Sequence, residues 1–224
     1  MKDVERRLCN VWLCTKAGEL CLDRNYKYYS IACALKQRML NFVQNLLNYM
    51  TFEVFESSWL TFEEKLKDVT NIDDVINYHN SFLDVCLRDC IIQSRSFLNI
   101  QRILGVCNLF SGYVQGLTLS SKKKEESARL FDQKVGLKTL QEKRKLVIQE
   151  IKEDLDKIVN GEGFAKAISD YNNQFTQLIL ELLSNISNEM GTGLGETKIQ
   201  YVLYRLDFNN HYREQLEEMQ SEKK

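Results

Sequence analysis

Apolar side chains recur along this chain at steps of three and four. Leu35, Met39, Phe42, Val43, Leu46, Leu47 and Met50 form one such stripe, and Val54 and Phe55 extend it. That spacing lays a single apolar face on a helix of 3.6 residues per turn, and it predicts a helix running through Glu56. Ser57 or Ser58 then caps a following helix that carries Trp59, Phe62, Leu66 and Val69. Asn71 is the next start signal. Its side chain can accept from the N–H groups of a first turn, while Asp73 and Asp74 oppose the positive helix end. Behind it run Val75, Ile76, Phe82, Leu83, Cys86, Leu87, Cys90 and Ile91, and then a third helix with Phe97, Ile100, Ile103, Leu104, Cys107, Phe110 and Val114.

The pattern changes after Gly116. Ser120 to Lys145 is dense in charge, with Lys122–Lys124, Glu125, Glu126 and Lys143–Lys145, and reads as an exposed connection passing into a polar helix. Ile148, Ile151, Leu155 and Ile158 give that helix a narrow apolar seam, which the turn at Gly161–Gly163 ends. A strong helix follows with Phe164, Ile168, Tyr171, Phe175, Leu178, Ile179, Leu182, Leu183 and Ile186. Ile199–Leu206 predicts a short helix, and Glu214–Lys224 a charged C-terminal one. No stretch alternates strictly enough for a half-buried strand, and no repeat of 20–50 residues occurs. The expected fold is all-α: a helical bundle, one domain over residues 1–224 with the charged connection 120–145 in its middle.

Composition sharpens this. The chain has 224 residues and no proline, where ordinary usage would place about 11. Proline breaks helix interiors by removing an N–H and clashing with the preceding turn, so its absence suits a chain of long helices. The length suffices for a core without disulfide or metal. Thirty basic and 31 acidic residues leave a net charge of −1. No global surplus of Lys and Arg exists for phosphate contact, so a nucleic-acid partner is not expected. No apolar run reaches the length of a membrane span. The N-terminus, with Asp3, Glu5, Arg6 and Arg7, lacks a signal peptide's apolar core. A cytoplasmic location without a membrane partner is therefore expected.

Candidate chemistry is thin. The cysteines number seven (Cys9, Cys14, Cys21, Cys33, Cys86, Cys90, Cys107), an odd count that argues for reduced, mostly buried thiols over a disulfide set. Cys86 and Cys90 share a helix face, with His79 two turns upstream, but zinc wants four ligands and the chain's other histidine is His211. No metal site is predicted. Nothing in the spacing selects a cysteine–histidine pair for nucleophilic catalysis. The carboxylate pairs Asp73/Asp74 and Glu63/Glu64 read as capping and solvation. Gly191-Thr192-Gly193-Leu194-Gly195 follows a helix and lacks the context of a phosphate loop, so it reads as a helix–helix connection. The aromatic clusters Tyr26, Tyr28, Tyr29 and Tyr201, Tyr204, Phe208, Tyr212 lie among mixed charges and suit core or protein-interface roles better than base stacking. No catalytic residue and no cofactor are predicted.

Three segments go beyond fold class. Lys36-Gln37-Arg38-Met39-Leu40-Asn41-Phe42-Val43-Gln44-Asn45-Leu46 continues into Tyr49-Met50-Thr51-Phe52-Glu53-Val54-Phe55-Glu56, with Trp59 beyond. Asn71-Ile72-Asp73-Asp74-Val75 is followed by His79, Ser81-Phe82-Leu83-Asp84, Cys86-Leu87 and Asp89-Cys90. Arg205-Leu206-Asp207-Phe208-Asn209 stands near the end, with Tyr212. In this order and spacing they closely resemble the C-terminal half of the γ-tubulin complex component family, most nearly its component 2 members. Val4-Glu5-Arg6, Leu8-Cys9 and Trp12 extend the resemblance to the start of the chain; only Ser120–Lys145 does not align.

The resemblance implies a set of helical bundles that binds γ-tubulin and holds it for templated microtubule nucleation, with no covalent chemistry of its own. It places the protein in the cytoplasm and cytoskeleton, at a microtubule organising centre or spindle pole. The family's N-terminal half, which joins components side by side, is not in this sequence. The chain is then either a fragment, whose missing half would meet other complex components, or a shortened relative. A serine stands where the family usually has proline between Glu56 and Trp59. Arg205, Asp207, Asn209 and Tyr212 form the most polar matching motif and are the first candidates to face γ-tubulin; Glu53, Glu56 and Arg38 are the next. Two other readings fit the residues alone: a cysteine-dependent helical enzyme, and a structural helical fragment without independent activity.

Overall fold

The computed structural model describes residues 1–11, 27–90, 96–132, 153, 157–159 and 161–191, and in the C-terminal segment 205, 207, 212, 214 and 215. Among them run six α-helices and no strand: α1 (Lys2–Cys9), α2 (Lys27–Asn48), α3 (Ser57–Leu66), α4 (Ile72–Asp89), α5 (Ser96–Asp132) and α6 (Glu162–Gly191). A π-helix, Tyr49–Glu56, lies between α2 and α3. None of the described helices is long and apolar enough to cross a membrane. The all-α expectation holds. The glycine-rich loop after Gly191 and the short helix expected at Ile199–Leu206 fall outside the described residues, apart from Arg205.

The helix expected to stop at Ser57 does not stop. Asn48, Glu56 and Ser57 all have right-handed helical backbone angles, and no side chain caps either junction. α2, the π-helix and α3 thus form one unbroken helical run. A proline at Ser57 would remove the N–H that here donates to the Val54 carbonyl; serine keeps it. The π-helix also re-aims the stripe. Its wider turn bonds residue i to i+5, and the buried positions run Tyr49, Val54, Ser58, Phe62, at steps of five, four and four. Phe55, which α-helical counting puts on the core stripe, is exposed together with Phe52.

At α4 the capping expectation holds. Asn71 has extended backbone angles, and its side-chain oxygen accepts from the Asp74 N–H at 2.8 Å. Asn71→Ala is expected to destabilise the protein by about 1 kcal/mol, and Asn71→Asp by much less; urea unfolding monitored by circular dichroism measures both.

α5 carries on through Asp132, so the first half of the stretch expected as an exposed connection has helical backbone. Ser120 to Asp132 contains Lys, Glu, Ala, Arg and Leu and neither glycine nor proline, a composition that favours helix. Residues 133–145 lie outside the described set. Before α6 the chain turns at Gly161, whose N–H donates to the Ile158 carbonyl at 3.2 Å. A Cβ there would come within 3.2 Å of that same oxygen, which explains a glycine at this turn.

Contacts divide the chain into two compact units. The first comprises Met1–Lys2, Asn41–Leu104 and Thr176–Lys224; the second comprises Asp3–Leu40 and Gly105–Phe175. The second unit buries Val4, Leu8 and Val11, Ala32, Leu35 and Met39 of α2, Cys107, Phe110 and Val114 of α5, and Ile168 and Phe175 of α6. Phe110 meets Tyr171 edge-on at 5.8 Å, a favoured aromatic geometry. Two polar groups drawn into this core find acceptors: Lys36 Nζ donates to the Val11 carbonyl at 3.1 Å, and Ser111 Oγ to the Cys107 carbonyl at 2.8 Å. The first unit buries Phe42, Val43, Leu46, Tyr49 and Val54, Ile100 and Ile103 of α5, and Ile179, Leu182, Leu183 and Ile186 of α6. Apart from Tyr49, these residues belong to the stripes read from the sequence.

Candidate partner-binding site

α3 and α4 lie against each other in the first unit through an aromatic cluster. Phe62 and Phe82 stack at 5.5 Å between ring centres, Trp59 meets Phe82 edge-on at 5.9 Å, and His79 reaches Phe62 at 6.0 Å. His79 is exposed on its other side, a boundary histidine. Lys65 Nζ lies 5.7 Å over the Tyr78 ring, within cation–π range. The π-helix is tied to the end of α4 by the Tyr49 hydroxyl, which donates to the Asp89 carbonyl at 2.8 Å. Burial, with the nearby Asp89 carboxylate second, holds the Tyr49 phenol well above its ordinary pKa.

The sequence pattern leaves open which apolar side chains of α4 turn inward. Cys86 and Cys90 are buried and Phe82 is half-buried, whereas Ile72, Val75, Ile76, Leu83 and Leu87 are exposed, Ile72 at 77% and Ile76 at 52%. Trp59 and Leu60 of α3 are more than half exposed as well. α4 carries one broad apolar face: it is covered at Phe82, Cys86 and Cys90 and open along Ile72, Ile76, Leu83 and Leu87. The candidates read from the sequence do not include this face. Its signal is present in the spacing of Ile72, Ile76, Leu83 and Leu87, but helical periodicity counts a buried and an exposed stripe alike.

The charged candidates separate into groups. Arg205 Nη1 pairs with Glu53 Oε1 at 3.0 Å, so two of the proposed residues meet in the first unit. Glu56, one turn on from Glu53, is exposed. Asp207 is buried, and its Oδ1 accepts from the Tyr212 backbone N–H at 2.9 Å; Tyr212 is buried too. Arg38 belongs to the second unit, where Nη1 donates to Asn172 Oδ1 at 2.9 Å and the guanidinium lies 5.5 Å over the Phe175 ring. Asn209 lies outside the described residues.

Thiol chemistry is disfavoured at the cysteines whose pKa departs from the ordinary value. Burial pushes Cys107 up to about 12; burial, aided by Cys86 and Asp89, pushes Cys90 up to about 11. A nucleophilic cysteine needs the opposite shift. Cys86, Cys90 and Cys107 are buried as expected, whereas Cys9 is exposed. Cys14 and Cys21 are outside the described residues. Among the described residues no group of three or more His, Cys, Asp or Glu could hold a metal ion.

These raised values predict an alkaline loss of stability. A buried thiol stays protonated in the folded protein while the unfolded chain ionises near pH 9, so folding binds protons and stability falls as pH rises. The contribution is intact below pH 9 and is lost between pH 9 and about 11 for Cys90, and up to about 12 for Cys107. Each group steepens the decline by about 1.4 kcal/mol per pH unit. Urea midpoints from pH 7 to 10.5 should show the fall, and Cys107→Ala, though less stable at pH 7, should show a shallower one.

Comparison with known proteins carries the reading further than geometry does. Residues 1–212 match the family described as gamma tubulin complex component C-terminal. The chain is 37% identical to mouse Gamma-tubulin complex component 2 over 99% of its own length and 26% of that protein's. It is 29% identical to the Drosophila melanogaster Gamma-tubulin complex component 2 homolog, over 97% of this chain and 25% of the relative. It is 35% identical to the Schizosaccharomyces pombe Spindle pole body component alp4 over 44% of this chain and 13% of the relative. The chain therefore spans about a quarter of the length of the component 2 relatives it matches throughout. This chain belongs to the gamma-tubulin complex component family and corresponds to its C-terminal domain.

Proposed function

We propose that this chain is the γ-tubulin-binding region of a microtubule-nucleating complex, a non-catalytic holder that acts by presenting γ-tubulin in a fixed geometry. The observation that carries the reading is the collinear family match over residues 1–212. The relatives' names place them in γ-tubulin complexes and, for the fission-yeast protein, at the spindle pole body. A cytoskeletal location at a microtubule organising centre follows for this chain, and other complex components become partners of a longer protein that contains it. The two high-pKa thiols weigh against the alternative of a cysteine enzyme.

Arg205, Glu53 and Glu56 are the contacts we assign to γ-tubulin first, because all three offer charge at or near the surface. Asp207 and Tyr212 support them through the hydrogen bond that joins them. Asn209 belongs to the same motif. Arg38, in the second unit, is a separate candidate contact. The purified chain should co-elute with γ-tubulin on size exclusion at micromolar concentration. Arg205→Gln should weaken that complex with only a small fall in the thermal midpoint, since a pair at the surface contributes about 0–1 kcal/mol. Separate elution of the wild-type chain and γ-tubulin would refute the proposal.

A further inference from the structure

We propose that the outward face of α4, with the adjoining edge of α3, is a docking surface for a basic amphipathic helix of a protein partner. Ile72, Ile76, His79, Leu83 and Leu87 follow one another at steps of four, three, four and four. They form a ridge, apolar except for His79, about 22 Å long at about 1.5 Å per residue. Ile72, Ile76, Leu83 and Leu87 are 77%, 52%, 42% and 41% exposed. Trp59 widens the ridge from α3, itself 52% exposed and fixed by its ring contact with Phe82. A contiguous exposed apolar surface of this kind on a globular domain marks a binding site. A ridge four turns long, supported from behind by a second helix, fits another helix lying along it.

The charge around the ridge selects the partner. At 100° per residue, Asp73 and Asp84 fall along one flank of the stripe on α4, with Asn80 between them. Between Thr51 and Cys90 the chain carries nine acidic and three basic residues, a balance of −6, against −1 for the whole protein. An apolar seam with an acidic flank is the complement of a helix with apolar residues on one side and Lys or Arg beside them, as charges flanking a coiled-coil seam set partner choice. A second copy would set acid against acid across a two-fold axis. A bilayer with anionic headgroups would be repelled for the same reason.

The probe is a synthetic 18-residue helix with leucine on one face and lysine on the other, fluorescein-labelled and titrated with the whole chain by anisotropy. Saturable one-to-one binding in the micromolar range is expected, with at least a tenfold loss in Ile76→Glu/Leu83→Glu. That double variant adds negative charge, so attraction by charge alone would make it bind more tightly. Equal or tighter binding by it therefore overturns the proposal, as does equal binding of a peptide of the same composition with its leucines scattered. Asp73→Asn/Asp84→Asn should weaken binding severalfold and flatten its salt dependence; an unchanged affinity overturns the basic-partner assignment. Circular dichroism should show both variants as helical as the parent, because all four side chains are on the surface; should Ile76→Glu/Leu83→Glu fail this check, the single variant Leu87→Glu, at a side chain 41% exposed, supplies the same reading. Dimerisation of the parent that Ile76→Glu/Leu83→Glu abolishes, or binding to phosphatidylserine vesicles, would identify a different occupant and overturn the proposal. The surface stands independently of the γ-tubulin assignment. Peptide binding without γ-tubulin co-elution would sink only the function proposed above; co-elution without peptide binding would sink only this surface.

Discussion

Replacing Phe110 by alanine is expected to lower the unfolding free energy by about 3–5 kcal/mol, among the largest effects of any single truncation in the second unit. Phe110 is fully buried there and meets Tyr171 edge-on at 5.8 Å. Alanine loses the transfer free energy of the ring, the aromatic contact, and packing around a cavity that rigid neighbouring helices cannot collapse. The thermal midpoint should fall by on the order of 10 °C for a chain of this size. Phe110→Leu, which fills most of the space, should cost much less. Urea unfolding of the three proteins separates cavity from contact, and a Phe110→Ala loss below about 1 kcal/mol would contradict the packing described for this core.

Tyr49→Ala should produce a comparable loss in the first unit, about 3–5 kcal/mol, but by two separable routes. Tyr49 is 1% exposed, and its hydroxyl donates to the Asp89 carbonyl, joining the π-helix to the end of α4. Tyr49→Phe keeps the ring and removes the donor, so it should cost only about 1 kcal/mol. The difference between the two variants measures ring packing. Amide hydrogen exchange gives the location: in Tyr49→Phe the last turn of α4 should open more readily, while α1 and the N-terminal part of α2 keep their protection. Uniform loss of protection across the chain would show that this bond does not act locally.

Both predictions rest on residues whose burial is only partly readable from the sequence. Phe110 belongs to a clean stripe with Ile103, Cys107 and Val114, and it lies where that stripe puts it. Tyr49 does not. Counting by 3.6 from Leu46 carries the core line through Met50, Val54 and Phe55, whereas the widened π-turn brings Tyr49 and Val54 inward and leaves Phe52 and Phe55 in solvent. Periodicity assumes a constant turn, so a change of helix type is invisible to it. The serines after Glu56 mislead for a related reason. A serine caps a helix only where the backbone has already left helical angles, and here nothing forces it to leave. Of the candidate contacts, the resemblance points to Glu53 and Arg205 as separate residues, but only folding brings positions 152 apart in sequence to 3.0 Å.

What the sequence determined alone was helix content, the Asn71 cap, the principal stripes and the family, because each depends on local spacing or on collinear residue identity. What the tertiary structure decided was which apolar faces are core. A side chain is buried by what packs over it, and that neighbour usually comes from a distant part of the chain. α4 makes the point: Cys86 and Cys90 are buried and Phe82 is half-buried, while Ile72, Ile76, Leu83 and Leu87, on the same broad apolar face and equally well spaced, are left open to solvent.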